Sequence, residues 1–249
     1  MARSIYRFAG LALLLFAAGC SQSVDNDPNA IVNPADVYFF HASPATGAIN
    51  LKIDNRSVAD NQAFGDVRSN YVAIEAGTHS GEMVSTGSTG TVVSRPLTFA
   101  RGARYSLFAF TNASGSLDLL SFHDDLAEPP INKAKIRIAN LITDAPQVRL
   151  AFPGSGIGPI VDSVGFADVS EGFELVDAQA VTLRFVDTKL AGGGGNGGGG
   201  QAKHSIVADV QLDLQNRGIY TIALVGHLAD STARAVVIKH PSMPTIDPR

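Results

Sequence analysis

Residues 206–214 read IVADVQLDL, and residues 181–185 read VTLRF. Successive side chains of a β-strand point to opposite faces, so an apolar residue at every second position predicts a strand with one buried face. In the first stretch the predicted core residues are Ile206, Ala208, Val210, Leu212 and Leu214. The alternation recurs at 49–54, 148–152 and 135–138, where it places Arg137 on the polar face. No stretch has a convincing helical period, so the body is predicted to be all-β.

The composition agrees with a folded body of short strands. Of the 249 residues, 45% are hydrophobic and 17% are charged, which is enough apolar material for a core and excludes wholesale disorder. Turn dipeptides such as Ala76-Gly77 and Arg217-Gly218 punctuate the apolar runs. Short strands with frequent turns favour β-sandwiches.

Charge and cysteine content exclude several classes of function. There are 19 basic and 23 acidic residues, and the net charge is -4, so no basic field attracts nucleic acid. The single cysteine excludes an internal disulfide framework and a multi-thiolate metal site. The glycine-rich run at 192–200 lacks the Lys-Ser/Thr pair of a phosphate loop and is expected to be a hairpin loop. No cofactor is predicted.

The N-terminus has the features of an export signal. Arg3 and Arg7 precede an apolar run that is too short to span a bilayer core of about 30 Å. Small residues then lead to Cys20, and the pattern resembles a bacterial lipoprotein signal. The resemblance implies that residues 1–19 are removed, that Cys20 carries the lipid, and that 20–34 is a flexible tether. Ser21 after the cysteine resembles the outer-membrane sorting rule, so the protein is expected in the cell envelope, anchored to the outer membrane and facing the periplasm or the cell surface.

The two halves of the body resemble each other. Residues 64–67, FGDV, match 166–169, FADV, and Tyr105 matches Tyr220. His123 and His240 each end an apolar run and are also matched. We therefore predict two repeats, at 35–126 and 134–241, joined by a linker at 127–133 and followed by a tail at 242–249.

The motifs of these repeats are similar to those of a known family. VYFFHASPATG at 37–47, FGDV at 64–67 and RYSLFAF at 104–110 recur as TDAPQVRL at 143–150 and IYTIALV at 219–225. They resemble the DUF4397 family of bacterial secreted and surface proteins. The resemblance implies two tandem Ig-like β-sandwich domains and implies no activity. In the second repeat Asn140 stands where the first has His41.

Candidate site residues lie in two places. His41, Ser43 and Pro44, with Asp144 in the second repeat, either shape a turn or line a ligand-binding loop. His123, Asp124 and Asp125 form a weak candidate for a divalent metal, although an acidic, solvated strand end is the simpler interpretation. No catalytic residues and no metal are predicted.

These features predict a non-catalytic envelope lipoprotein. Its sandwich loops or edge strands would be presented to a protein or glycan partner, and the lipid on Cys20 would bind the membrane. One alternative is an accessory subunit of an envelope or secretion complex. Another is a hydrolase with an unrecognised site between the two repeats.

Overall fold

In a computed structural model of the chain, the described residues are 33–242, apart from 45, 69, 88–89, 146, 154–158 and 189–205. They belong to a compact unit spanning Ile31–Arg249, and their regular elements are all β-strands arranged in several sheets. The predicted fold class is confirmed. No helix within these ranges is long and apolar enough to cross a membrane. Cys20 and the glycine-rich run at 192–200 lie outside the described residues.

The N-terminal half of the body comprises eight strands in two sheets. They are β1 (Ala35–His41), β2 (Ile49–Ile53), β3 (Arg56–Gln62), β4 (Val72–Ile74), β5 (Gly77–Ser85), β6 (Thr91–Phe99), β7 (Arg104–Thr111) and β8 (Leu117–His123). One sheet has the order β4-β1-β7-β8, and the other has the order β3-β2-β5-β6. An apolar core that includes Ile49, Leu51 and Leu107 lies between them.

The C-terminal half has the same general plan. Its strands are β9 (Lys133–Asn140), β10 (Gln147–Ala151), β11 (Val161–Gly165), β12 (Asp168–Val169), β13 (Glu174–Asp177), β14 (Ala180–Asp187), β15 (Ile206–Asp213), β16 (Ile219–Val225) and β17 (Arg234–His240). One sheet is β12-β9-β16-β17, with β13 also paired to β9, and the other is β11-β10-β14-β15. A second core, which includes Ile136, Leu183 and Ile222, fills this half.

The sheets β4-β1-β7-β8 and β12-β9-β16-β17, called here the inner sheets, are buried on both faces along their central strands. All seven residues of β16 are buried, as are six of the seven in β1. At their centres β1 pairs with β7, and β9 with β16, in parallel. Parallel pairs occur where both faces of a sheet are covered, and these strands accordingly read as continuous apolar runs, such as IYTIALV.

A third apolar core joins the two halves. It is formed by residues of both inner sheets, namely Tyr38, Phe40, Ala42, Phe108 and Phe110 from one half and Ala139, Leu141, Ala223, Val225 and Ile238 from the other. Aromatic rings contact each other across it, for example Phe110 and Phe166 at a centroid distance of 6.0 Å. The sequence analysis did not predict this shared core.

A bulge in β15 alters one predicted core position. Phe185 pairs with Ala208 but Val186 pairs with Ile206, so Val207 is an extra residue in β15. As a result Val207 is 6% exposed and Ile206 is 53% exposed. The prediction that Ile206 faces the core is wrong, because a one-residue insertion reverses the faces of the strand on one side of it.

Candidate functional site

A group of buried polar side chains, called here the polar cluster, lies where the inner sheets meet. At its centre Arg137 of β9 forms an ion pair with Asp124, which follows β8. Their side chains are 2% and 0% exposed. Since charged groups are buried in proteins only when they are paired and hydrogen-bonded, the remaining partners of both residues decide whether this pair is stable.

The guanidinium of Arg137 has a partner for each of its nitrogens. Nη2 donates to Asp124, Nη1 donates to the carbonyl oxygen of His123 at 3.1 Å, and Nε donates to Thr221 Oγ1 at 2.7 Å. Its Cζ atom lies over two aromatic rings, 4.4 Å from the centroid of Phe122 and 4.3 Å from that of Phe173. Cation–π contacts of this kind are strongest where water is excluded.

The carboxylate of Asp124 is the acceptor end of a hydrogen-bond chain. Oδ2 accepts from Ser106 at 2.8 Å and from the Tyr71 hydroxyl at 2.7 Å. The Tyr71 oxygen lies 2.8 Å from Nδ1 of His240, and Nε2 of His240 lies 2.7 Å from Thr221 Oγ1. Because Tyr71 donates its proton to Asp124, its oxygen accepts from Nδ1, and Nε2 accepts from Thr221. His240 is therefore the neutral Nδ1–H tautomer.

The protonation states follow from burial and from these partners. Burial, and to a lesser extent the charge of Arg137, lowers the pKa of His240 to about 4, although Asp124 opposes the shift. Burial and the neighbouring Asp124 charge raise the pKa of Tyr71. Burial lowers the pKa of Arg137, and the Asp124 charge opposes that shift. At neutral pH the cluster thus holds one ion pair and a neutral imidazole.

The structure separates the members of the candidate metal cluster. Residues at a strand end point alternately to opposite sides, so Asp124 is buried while His123 and Asp125 are exposed. Asp125 accepts from Lys135 Nζ at 2.8 Å, which lowers the pKa of its carboxyl group, and the His123 ring contacts the Tyr105 ring. Within the described ranges, no group of three or more His, Cys, Asp or Glu side chains could hold a metal ion.

His41 lies inside the turn that it begins. Its ring is buried, Nδ1 accepts from the backbone N–H of Ser43 at 3.3 Å, and Nε2 lies 3.1 Å from the carbonyl oxygen of Gly47. Nε2 therefore carries the proton and donates to Gly47. Burial lowers the pKa of His41, in keeping with a neutral ring.

Asn140 makes the corresponding bonds in the other half. Its Oδ1 accepts from the N–H of Ile142 at 3.3 Å, and its Nδ2 donates to the carbonyl oxygen of Ala145 at 2.8 Å. A neutral imidazole and an amide each offer one acceptor and one donor, so either can bridge this turn. Each residue thus accepts from the N–H two residues on and donates to a carbonyl oxygen further along the turn, six residues on from His41 and five residues on from Asn140.

The other residues of the predicted binding loop also contact their own surroundings. Ser43 is buried, with its Oγ 2.6 Å from Thr111 Oγ1, whereas Pro44 is exposed. Asp144 accepts from the backbone N–H groups of Leu228 and Ala229 at 2.9 and 2.8 Å. Ser43 thus ties its turn to β7, and Asp144 ties its turn to the segment after β16.

The match of His123 with His240 is wrong by one residue. Tyr105 pairs with His123, and the residue matched to Tyr105 in the other half pairs with Lys239. His123 therefore corresponds to Lys239. The next residue, Asp124, corresponds to His240, and both point into the polar cluster.

An open groove, called here the outer groove, lies on the C-terminal half beside β14. It encloses about 590 Å³ and is lined by Phe152, Pro153, Asp177, Gln179, Val181, Thr182 and Arg184. A neighbouring depression shares Phe152, Asp177 and Gln179 and adds Glu174 and Leu175, the latter 52% exposed. A volume of this size lies in the range of small-molecule sites.

Known proteins resemble parts of this chain. Residues 35–151 match the family described as a domain of unknown function, DUF4397. The matched range begins with β1 and ends with β10, so it covers the whole N-terminal half and the first strands of the other. A search of the curated proteins finds no match.

Two solved structures are similar to the chain at low identity. One is CBMbc, a family CBM26 module of Amy13K from Eubacterium rectale in complex with maltoheptaose; it is 12% identical, and the match covers 85% of this chain and 98% of the other at a TM-score of 0.25. The second comes from a study of alpha-glucan binding by a streptococcal virulence factor; it is 8% identical, with coverages of 82% and 96% and a TM-score of 0.25. At this score the likeness carries no argument about ligand or mechanism.

The sequence analysis missed the polar cluster and the outer groove. The alternation with Ile136 and Ile138 places Arg137 on the polar face of its strand, which faces solvent when a strand is buried on one side only. That face is instead covered by the other half, and Arg137 is buried. One sequence signal could have shown that this sheet is covered on both sides. The segment IYTIALV, which forms β16, is apolar on both faces, whereas a strand with one face in solvent alternates apolar and polar residues.

Proposed function

We propose that this protein is a non-catalytic, lipid-anchored binding protein of the cell envelope, built from two copies of one β-module, whose outer groove binds a neutral glycan. The outer groove is the observation that carries the proposal. It combines an aromatic ring, Phe152, with the amide of Gln179 and the hydroxyl of Thr182. An aromatic ring packs on the apolar face of a sugar, while amide and hydroxyl groups both donate to and accept from sugar hydroxyls.

The charges around the groove favour a neutral ligand. Asp177 accepts from Lys133 Nζ at 2.6 Å. Arg184 donates two hydrogen bonds to Asp209, from Nε at 2.9 Å and from Nη2 at 2.7 Å. Since each charge at the groove has an opposite partner, no uncompensated cation is left to select an anionic ligand. A hydroxyl-rich, uncharged ligand can bond to these groups without separating an ion pair.

The polar cluster supports the non-catalytic part of the proposal. Its carboxylate, imidazole and hydroxyl groups are those that a hydrolase would use, but each is engaged by a partner inside the cluster. The bonds Tyr71–His240 and Asp124–Arg137 also join the two halves. The hydrolase alternative requires a substrate site between the repeats. Packed side chains of the shared core occupy that region.

Glycan binding predicts a specific effect of groove substitutions. The purified protein is expected to bind at least one neutral oligosaccharide on a defined glycan array. The variant Gln179→Ala/Thr182→Val should weaken that binding by about 5- to 150-fold, because the loss of two hydrogen bonds of about 0.5–1.5 kcal/mol each totals about 1–3 kcal/mol. Isothermal titration with the array's best oligosaccharide measures the change.

The control for the threonine substitution is Thr98→Val, which makes the same Thr→Val change at an exposed strand position of the N-terminal half. Its affinity should equal that of the unmodified protein. The groove assignment fails if no neutral oligosaccharide binds, or if the groove variant and the control bind equally well.

The anchor predicts the location of the protein in cells. Cys20→Ala removes the thiol that accepts the lipid, so the protein should move from the detergent-soluble membrane fraction to the aqueous fraction. Ser21→Ala, the control, should remain with membranes. Fractionation followed by immunoblotting makes the comparison. A Cys20→Ala protein that still requires detergent for release would contradict lipid anchoring.

A further inference from the structure

The strand registers show which positions of the two inner sheets are equivalent. In the N-terminal half β1 pairs with β7 so that Tyr38 lies beside Ser106. In the C-terminal half β9 pairs with β16 so that Arg137 lies beside Thr221. Tyr38 is thus the counterpart of Arg137, and Ser106 is the counterpart of Thr221.

The contacts between the two inner sheets also relate equivalent residues. Arg137 contacts Asp124, and their counterparts Tyr38 and His240 contact each other with ring centroids 5.8 Å apart and planes at 75°. When residue i meets j and the counterpart of i meets the counterpart of j, the interface has the pattern of a two-fold dimer. The chain therefore resembles a dimer of β-modules whose two members have been joined.

The chemistry at these equivalent positions is unequal. At these four positions the N-terminal half supplies a buried carboxylate, Asp124, and the C-terminal half supplies a buried cation, Arg137. If an N-terminal inner face met a copy of itself, each Asp124 would face Tyr38. If a C-terminal inner face met its own copy, each Arg137 would face His240. Both arrangements bury two charges without an opposite partner, which is strongly destabilising.

We propose that the Asp124–Arg137 pair is a specificity determinant: it makes each inner face a docking surface for the other half of the chain and rejects a second copy of the same half. The occupant of each surface is already present in the structure as the opposite inner sheet. The Asp124–Arg137 pair thus keeps the pseudo-symmetric, apolar interface from binding other copies of the protein. It acts independently of any ligand in the outer groove.

The test uses the full chain with a protease site inserted between residues 127 and 132. After cleavage the two fragments should remain together as a one-to-one pair. The cleaved protein is then unfolded in urea and refolded as a mixture, and native mass spectrometry counts the pairs. The ratio of unlike pairs to like pairs should be at least ten times the ratio that random pairing gives.

The neutral variant Asp124→Leu/Arg137→Met removes the charges while retaining apolar volume, so pairs of like halves should appear among its refolded products. Arg184→Met/Asp209→Leu removes an exposed ion pair of the same residue types and should leave the pairing pattern unchanged. Fragments that separate on cleavage, or unmodified fragments that refold into a statistical mixture, would overturn the proposal. Both of these outcomes are measured on unmodified fragments, so the test does not require the neutral variant to fold.

Discussion

Asp124→Ala is expected to lower the free energy of unfolding by about 3–5 kcal/mol, the usual loss when one member of a buried ion pair is removed. The alanine leaves the Arg137 guanidinium buried without its anion and removes the acceptor of Tyr71 and Ser106. The total stability of a domain is about 5–15 kcal/mol, so the loss is a large fraction of it. Urea denaturation followed by circular dichroism measures the change.

The matched control for this prediction is Asp209→Ala. Asp209 also pairs with an arginine, Arg184, but the side chains of the pair are 37% and 39% exposed. Exposed pairs contribute about 0–1 kcal/mol, so this variant should unfold close to the unmodified protein. Equal losses in the two variants would show that burial between the inner sheets does not set the strength of the Asp124 pair.

The double variant Asp124→Leu/Arg137→Met should be more stable than Asp124→Ala alone. It removes the uncompensated cation together with its partner, and apolar side chains of similar size replace buried pairs at little cost. A double variant that is less stable than the single one would mean that the charges are not the dominant cause of the loss.

Acid is expected to destabilise the protein through His240. Its pKa in the folded protein is about 4, below the ordinary value of 6.5, so the unfolded chain binds a proton at this residue that the folded protein does not bind. Stability from neutral His240 is therefore complete above about pH 6.5 and is lost as the pH falls toward 4. The lost contribution approaches about 3 kcal/mol at the acid end of this window.

Protonation of His240 destabilises the fold because Nε2 of the neutral ring is a hydrogen-bond acceptor. A proton there abolishes the hydrogen bond from Thr221 and places a second cation near Arg137. His240→Gln carries no titratable group, so its unfolding free energy should change less between pH 7 and pH 4.5 than that of the unmodified protein. Lys239→Gln, one residue away and exposed, should follow the unmodified curve. Parallel curves for the His240 variant and the unmodified protein would rule out this assignment.

The parts of the fold that depend on short-range pattern could be predicted from the sequence. Alternation in 181–185 and 206–214 predicted β14 and β15, and the apolar positions Leu183 and Leu214 are buried. The correspondence of FGDV with FADV also has a structural counterpart. Gly65 donates its N–H to the carbonyl oxygen of His41, and Ala167 donates its N–H to that of Asn140.

The parts that depend on packing between the halves could not be predicted. Period-two alternation separates two faces of a strand, but it does not say whether the polar face meets water or another sheet. Arg137 alternates with isoleucines in the same way as Arg184 alternates with Leu183 and Phe185, yet Arg137 is buried and Arg184 is not. Only the position of β9 in an inner sheet distinguishes the two arginines.

The candidate site residues also divide into those set by short-range chemistry and those set by packing. The turn-shaping interpretation rests on local chemistry, and the hydrogen bond between His41 and the N–H of Ser43 has that form. Ser43 and Asp144 instead bond to residues far away in sequence, at Thr111 and Leu228. The outer groove, in contrast, brings Phe152 and Pro153, which follow β10, together with the continuous stretch 177–184 of β13 and β14. A groove of this kind has no sequence motif.

Calorimetric unfolding of the purified protein is the most direct test of the central claim that the inner sheets and the polar cluster make one folding unit of the two halves. The shared core and the Asp124–Arg137 pair predict a single transition whose calorimetric enthalpy equals its van't Hoff enthalpy. Two resolved transitions, each with the enthalpy of one half, would contradict the claim.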